Sequence, residues 1–247
     1  MTQELNHLNQ PIGFALPDWR PCAHPRGSIM QGERCRLEPI DPERHAADLF
    51  TAFARDQEAR NWTYMPYGPF DTEDGVRQWI EATCLGEDPC FFAIIDLASE
   101  KAVGVASYLR IDPAMGVIEV GHIHFSPLIQ GTVISTEAMY LMMRRVFGEL
   151  GYRRYEWKCD ALNAPSRGAA LRLGFMFEGV FRQATMYKQR NRDTAWYSIL
   201  DREWAAAHAG FEAWLNADNF DASGRQLQSL GALMHPALKA LRDDSPG

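Results

Sequence analysis

The sequence predicts an α+β fold, a mixed α/β architecture with a mostly antiparallel central sheet, one parallel crossover and helices on both faces. Between positions 90 and 125, three strand patterns follow one another through tight connections, which is typical of an antiparallel meander. A strand–helix–strand step then runs from His122 to Trp157, and such a crossover pairs its two strands in parallel. We therefore expect an N-terminal arm over 1–32, one central domain over 33–204 and a C-terminal helical extension over 205–247.

The composition excludes several classes of protein. The chain has 247 residues, of which 46% are hydrophobic and 23% are charged, as in ordinary folded proteins. A formal net charge of −7 argues against a nucleic-acid partner. No apolar run reaches the ~18 residues of a membrane span, so we expect no membrane partner. Five scattered cysteines without a C-x-x-C pair predict neither a metal site nor a disulfide framework, and indicate a cytoplasmic protein.

The first half of the chain predicts a strand and two helices around an aromatic loop. A strand over Arg34–Ile40 leads to Asp41 and Pro42, which are favoured at the N-cap and the first position of a helix. A second helix is expected from about Thr72 to Leu85. Between the helices, the segment 61–70 carries two prolines, one glycine and four aromatic residues, which indicates a loop.

The second half predicts the rest of the sheet and the terminal helices. Apolar residues recur at helical spacing after position 132, and Gly151 is suited to end that helix. Strict alternation indicates a strand at 155–160. The other expected strands and helices are Cys90–Asp96, Ala102–Ile111, Gly116–Phe125, Phe175–Tyr187, Thr194–Leu200, Glu203–Asn216 and Leu227–Leu241.

Two motifs lie between Ile118 and Phe175. In the first, a strand enters a glycine-containing turn that opens a helix, and the free N–H groups of a helix N-terminus are suited to hold a phosphate. The second begins at Asn163, which is suited to cap a short helix that ends at Gly174. The first motif comprises Gln130, Gly131, Thr132, Val133, Ile134, Ser135 and Thr136, followed by Glu137 and Ala138; the second comprises Asn163, Ser166, Ala170, Arg172, Gly174 and Phe175.

In order and spacing, the two motifs resemble the core of the GNAT acetyltransferase superfamily, and most closely its RimJ/RimL-like branch, which is named for ribosomal-protein N-terminal acetyltransferases. The superfamily turn reads Q/R-x-x-G-x-G/A, and Val133 and Ser135 stand here at two of its small-residue positions. The resemblance implies a GNAT-like fold, a GNAT acetyltransferase domain over 33–204, acetyl-CoA as the co-substrate and no metal. The implied coenzyme-binding residues are His124, Phe125, Gln130, Gly131, Thr132, Val133, Ile134, Ser135, Thr136, Asn163, Ser166 and Arg172.

The resemblance also implies catalytic roles for Glu119 and Ser166. In some members a Glu at this position is the general base, and a Ser near position 166 faces the coenzyme sulfur and protonates the leaving thiolate. His122 and His124 are alternative proton acceptors, because their unperturbed pKa suits that role. Simple strand alternation puts Glu119 on the face opposite His122 and His124, so we expect only one of these sets to see the substrate.

The aromatic loop is the implied roof of the acceptor site. Trp62, Tyr64 and Tyr67, together with His122, are the expected substrate-binding residues, because an aromatic roof suits an apolar or cationic amine. Burial of these rings in the core is the alternative. For Arg172 the sequence leaves two roles open, contact with the adenosine phosphates and surface salt pairing.

The predicted function is acetyl-CoA-dependent N-acetylation of a primary amine, either a small molecule or a protein or peptide N-terminus, by direct attack in a ternary complex. A degenerate GNAT domain that binds an acyl-CoA as a sensor or assembly module is the alternative, because Val133 is unusual and the base is unassigned. An unrelated α/β ligand-binding protein would lack both motifs. The expected partner is thus an amine-bearing acceptor. The sequence leaves open whether the protein also forms a homodimer.

Overall fold

A computed structural model describes residues 4–243 of the chain. Its strands are β1 (Glu4–Leu5), β2 (Pro11–Ile12), β3 (Met30–Gln31), β4 (Cys35–Pro39), β5 (Cys90–Asp96), β6 (Lys101–Asp112), β7 (Val117–Phe125), β8 (Arg154–Asp160), β9 (Met176–Tyr187) and β10 (Arg190–Leu200). Its α-helices are α1 (Pro42–Phe53), α2 (Glu73–Trp79), α3 (Val133–Arg144), α4 (Ala164–Arg172), α5 (Asp201–Leu215) and α6 (Leu230–Asp243). No helix in this part of the chain is both long and apolar enough to cross a bilayer.

Eight strands form the central sheet in the order β3-β4-β5-β6-β7-β8-β10-β9. Every pair in it is antiparallel except β7 and β8, which are joined by the crossover through α3. The predicted α+β fold class, with its single parallel crossover, is therefore confirmed.

Helices cover both faces of the sheet. On one face, α1 and α2 bury Leu49 and Trp79 against β5 and β6. On the other, α3 to α6 pack over the remaining strands and bury residues such as Met142, Phe211 and Met234. The first helix begins as the sequence predicts, because the Asp41 side chain accepts a hydrogen bond from the backbone N–H of Arg44 at 2.9 Å. On the first face α1 and α2 pack only over β4 to β6, so these two helices leave the other half of that face uncovered.

The N-terminal arm lies against the body of the protein. The Trp19 indole N–H donates to the carbonyl of Ala114 at 2.8 Å, and the Tyr152 hydroxyl donates to the carbonyl of Ala23 at 3.1 Å. Strand β3 at the end of the arm joins the edge of the sheet. The arm therefore packs on the central domain over its described residues.

A β-bulge in β7 changes the alternation that the sequence predicts. His124 pairs with Val105 and Gly121 pairs with Ser107, so His122 and Ile123 together lie opposite the single residue Ala106. His122 takes a positive φ of 49° at this point.

The bulge brings both histidines to the face that carries Glu119. Ile118 and Val120, which flank Glu119, and Ile123 in the bulge all pack in the core beneath α3. His122 and His124 instead contact Tyr67 and Trp62 on the α1–α2 side. The expectation that Glu119 and the histidines face opposite sides was therefore wrong, since alternation holds only in a regular strand.

Strands β7 and β8 separate just before the bulge. Their parallel pairing covers four residue pairs and ends at Val120–Trp157, although β7 continues to Phe125 and β8 to Asp160. The backbone edges that face each other beyond this point are unpaired with one another, and the gap between them opens into a cleft.

Candidate active site

A cleft of about 1380 Å³ occupies the gap between β7 and β8. One end lies at the turn before α3. The other end lies under the aromatic loop and the β9–β10 hairpin. The cleft thus crosses the sheet and passes the bulge at His122, which is one of its lining residues.

The turn before α3 presents a free helix N-terminus to the cleft. Gly131 supplies the positive φ, 69°, that the turn requires, and Val133 is the first residue of the helix. The N-cap Thr132 makes no side-chain capping bond, so the first N–H groups of α3 are left for a ligand. Gln130 fixes the turn by donating from Nε2 to the carbonyl of Phe125 at 2.9 Å. A valine at position 133 is compatible with this backbone.

The predicted coenzyme residues divide between the cleft and the core. Ile134 does not line the cleft; its side chain packs in the core, so only its backbone N–H remains available to a ligand. His124 borders the cleft but is 2% exposed. The others that line the cleft are Phe125, Gln130, Gly131, Thr132, Val133, Ser135, Thr136, Asn163, Ser166 and Arg172.

Arg172 lies in the cleft wall beside the start of α3. Its Nη1 donates to Thr136 Oγ1 at 3.0 Å, and its guanidinium lies over the Trp214 ring at 5.2 Å. Desolvation lowers the pKa of this guanidinium. No carboxylate in the described part of the chain forms a salt bridge with it, so the salt-pairing role does not apply. Trp214, on α5, and nearby Phe220 also line this end.

Helix α4 places Asn163 and Ser166 at the middle of the cleft. Asn163 Oδ1 accepts from the Ser166 N–H at 3.1 Å, which confirms the predicted N-cap. The Ser166 hydroxyl oxygen accepts from the Trp157 indole N–H at 3.0 Å. That contact orients the hydroxyl, whose own proton can be donated to the neighbouring Cys159 sulfur or to a ligand in the cleft.

Glu119 is buried between two cations and lines the cleft. Its Oε2 accepts from Arg110 Nη1 at 2.7 Å and from Lys158 Nζ at 2.9 Å, while Oε1 has no hydrogen bond to any described residue. Desolvation raises the pKa of the Glu119 carboxyl, and the two cations oppose that rise. Lys158 also pairs with Glu156 at 2.7 Å. Glu119 therefore sits in a charge network on the open face of the sheet.

His122 lies at the bulge and faces the cleft. Its Nδ1 is hydrogen-bonded to the Tyr67 hydroxyl at 3.0 Å. Burial, followed by the charges of Arg110 and Arg192, lowers the pKa of His122 to about 4, so its imidazole is neutral at pH 7. Burial also lowers the pKa of His124 to about 4, and this ring stacks on Trp62 at 3.7 Å. Of the two histidines, His122 is the one that is partly exposed.

The aromatic loop contributes less to the cleft than the sequence suggests. Trp62 is 3% exposed and packs against Phe53 and His124 in the core behind the cleft, and Tyr67 does not line the cleft either. Tyr64 does line it, and its hydroxyl donates to the carbonyl of Leu162 at 3.1 Å. Trp62 and Tyr67 therefore support the site from behind, because the loop folds these two rings inward.

The sequence reasoning missed the charged wall that β8 and β10 provide. Lys158 Nζ lies 3.7 Å above the Trp196 ring, and Arg192 lies on the same strand as Trp196. Five cations and two carboxylates line the whole cleft, in a chain whose net charge is −7. The charged lining residues are Arg60, Arg110, Lys158, Arg172, Arg192, Glu119 and Asp160. The alternation of residues 155–160 indicates that Lys158 lies on the face opposite Trp157. The sequence does not indicate that β10 pairs with β8, so the side chains that β10 adds to this wall could not be predicted.

A family model of the acetyltransferase (GNAT) domain matches residues 34–176, which is more than half of the chain. The protein belongs to the GNAT acetyltransferase family. A solved GCN5-related N-acetyltransferase from Brucella melitensis is 44% identical, with a TM-score of 0.87, and the match covers 89% of this chain and 100% of that one. The chain is thus an acetyltransferase of a family that uses acetyl-CoA.

More distant relatives include proteins with named acceptors. The ribosomal-protein-serine acetyltransferase of Escherichia coli (strain K12) is 25% identical over 71% of this chain and 98% of its own. A RimL ribosomal alpha-N-protein acetyltransferase solved in complex with coenzyme A shares the fold, at 19% identity, a TM-score of 0.57 and coverage of 70% and 99%. The resemblance to the RimJ/RimL-like branch is therefore confirmed at the level of the family. Within residues 4–243, no group of three His, Cys, Asp or Glu side chains has a metal-binding arrangement.

Proposed function

We propose that this GNAT enzyme transfers the acetyl group of acetyl-CoA to a primary amine by direct attack in a ternary complex. The observation that carries the proposal is the cleft at the separation of β7 and β8, which a free helix N-terminus borders on one side and a charged acceptor wall on the other. Named relatives that act on ribosomal proteins favour a protein or peptide N-terminus as the acceptor, and a small amine is the other candidate.

The coenzyme end fits a pyrophosphate group by its chemistry. The free N–H groups at the start of α3, from Val133 onward, provide donors, and the helix dipole favours negative charge there. Arg172 adds a positive charge that no carboxylate of the described chain neutralises. We assign these groups to the phosphates of the coenzyme and Asn163 to its pantetheine arm.

The acceptor end holds the groups that would manage protons. When bound, acetyl-CoA supplies a thioester whose C–S bond breaks as the amine nitrogen forms the new C–N bond. Glu119 Oε1 is the candidate that accepts the amine proton, directly or through water, and Ser166 is the candidate donor to the leaving sulfur. The cations nearby also lower the pKa of a bound ammonium, which favours the neutral, nucleophilic amine.

Coenzyme binding is the first expected result. Calorimetry with coenzyme A should give saturable binding, and the ligand should raise the thermal midpoint because it stabilises only the folded state. Arg172→Gln should weaken the affinity by about 10-fold, the loss typical of one hydrogen bond to a charged group. Arg190→Gln, which removes a cation outside the cleft, is the matched control. The absence of binding at millimolar coenzyme would refute the proposed function.

Turnover separates this proposal from a domain that only binds an acyl-CoA. Wild-type protein should release thiol from acetyl-CoA when supplied with amines or N-terminal peptides, whereas a sensor would bind without release. Ser166→Ala should lower turnover by about 10- to 100-fold with little change in coenzyme affinity, since proton donation is lost while the backbone groups stay in place. Unchanged turnover in this variant would end the assignment of Ser166 as the acid.

A further inference from the structure

Two donors at the acceptor end of the cleft have no partner. The Nε of Arg192 and the Nε1 of Trp196 are buried, yet neither makes a hydrogen bond. Arg192 also forms no ion pair with any residue of the range 4–243. Both side chains are half-buried, but these two atoms are shielded from water, and a shielded donor without an acceptor is costly. Each of the two atoms therefore lacks an acceptor, and the charge of Arg192 has no ion-pair partner in this wall.

The neighbouring carboxylates do not meet this need. Glu119 is engaged with Arg110 and Lys158, and Asp160 accepts from the Tyr187 hydroxyl at 2.9 Å. Arg192 still acts on the reaction centre, because its charge helps to lower the pKa of His122. The unpaired cation thus lies close to the bulge rather than at the rim.

Arg192 and Trp196 belong to the acceptor side of the sheet. Trp196 alternates along β10 with Ala195 and Tyr197, which pack in the core under α3 and α4, where the coenzyme end begins. Trp196 therefore faces away from that core, toward the half of the sheet that α1 and α2 leave open. The missing anion is accordingly a feature of the acceptor rather than of the coenzyme.

We propose that Arg192 and Trp196 bind a carboxylate of the acceptor, so that the preferred acceptor is an amine that also carries a carboxylate, such as an amino acid or a peptide with an acidic residue near its N-terminus. The inference rests on the proposed acetyl transfer. The free positive charge of Arg192 matches the single negative charge of a carboxylate, and each carboxylate oxygen can accept from an unpaired donor in this wall. A phosphomonoester carries about −1.5 to −2 and would need a second free cation, which Arg110 and Lys158 do not provide.

The test compares acceptors that differ only in the carboxylate. Amino acids are paired with their amides, and peptides with Asp or Glu at the second position are paired with their Asn or Gln counterparts. For wild-type protein, kcat/KM from thiol release should favour the carboxylate member by about 10- to 100-fold, the loss expected for one charged hydrogen bond. Arg192→Gln should remove that preference by lowering the carboxylate rate alone, and Arg192→Lys should restore part of it.

Controls separate this inference from the proposed function. Arg190→Gln removes an exposed cation of the same strand and should keep the preference. Calorimetry of the paired acceptors, with and without coenzyme A, tests recognition even if turnover is absent. Equal affinity and equal rates for the pairs, or a preference that survives in Arg192→Gln, overturns the inference while acetyl transfer stands. If neutral amines react faster with succinyl-CoA than with acetyl-CoA, and the paired acceptors show no difference, the carboxylate belongs to the acyl chain. That result would also overturn the inference.

Discussion

Glu137→Ala should lower the free energy of unfolding by about 3–5 kcal/mol, the range typical of a broken buried charge network. The Glu137 carboxylate is 3% exposed and accepts three backbone N–H groups from the loop before β4, from Glu33 at 3.1 Å and from Arg34 and Cys35 at 2.8 Å. Alanine would leave these N–H groups without an acceptor in a buried place. Guanidinium unfolding of the variant and the wild type measures the difference.

A matched control is available on the same loop. Glu33 is the residue whose N–H contacts Glu137, but its own side chain is 85% exposed, so Glu33→Ala should change the unfolding free energy by no more than about 0.5 kcal/mol. Glu137→Gln keeps the shape but turns an NH₂ group toward backbone donors, so it should lose most of the same stability. A loss under about 1 kcal/mol in Glu137→Ala would contradict the role of this carboxylate as the clamp between α3 and the sheet.

Sequence reasoning was most reliable where the signal is local. The start of α1 at Asp41 and Pro42 and the Asn163 cap of α4 follow from side chains that bond to N–H groups three residues away. The parallel crossover and the antiparallel meander before it follow from connection lengths. These features need no knowledge of distant contacts, and the structure has each of them.

The errors come from features that depend on distant pairing. The bulge at His122 exists because β7 is paired with β6, and its sequence carries no glycine at the position of positive φ. Trp62 was expected in the cleft, but Gly68 packs directly on its ring and the loop closes over it. Glu137 was noted only as part of a motif, since its three partners lie about a hundred positions earlier. In each case the role of the residue is decided by a contact with a residue that lies elsewhere in the sequence.

Glu119→Gln should lower turnover at neutral pH by about 100-fold or more, within the range typical of a lost general base. The substitution keeps the shape of the side chain and removes the charge that Lys158 and Arg110 now flank. Burial raises the pKa of Glu119, so the wild-type rate should fall as pH drops through that raised pKa and the carboxylate becomes protonated. The variant should lack this acid limb, and its turnover should recover in part at high pH, where free amine is abundant.

Glu156→Gln is the control that isolates the role of the carboxylate. Glu156 pairs with the same Lys158 at 2.7 Å but does not line the cleft, so its variant should keep the acid limb and most of the turnover. Thermal midpoints of both variants show whether a loss of turnover reflects unfolding. Arg110 is 61% exposed, so it stays solvated when Glu119 loses its charge. A Glu119→Gln profile with an unmoved acid limb would exclude this carboxylate as the base. The limb would then be expected near pH 4, where His122 becomes protonated, and His122→Gln should abolish it, because only the neutral imidazole accepts a proton.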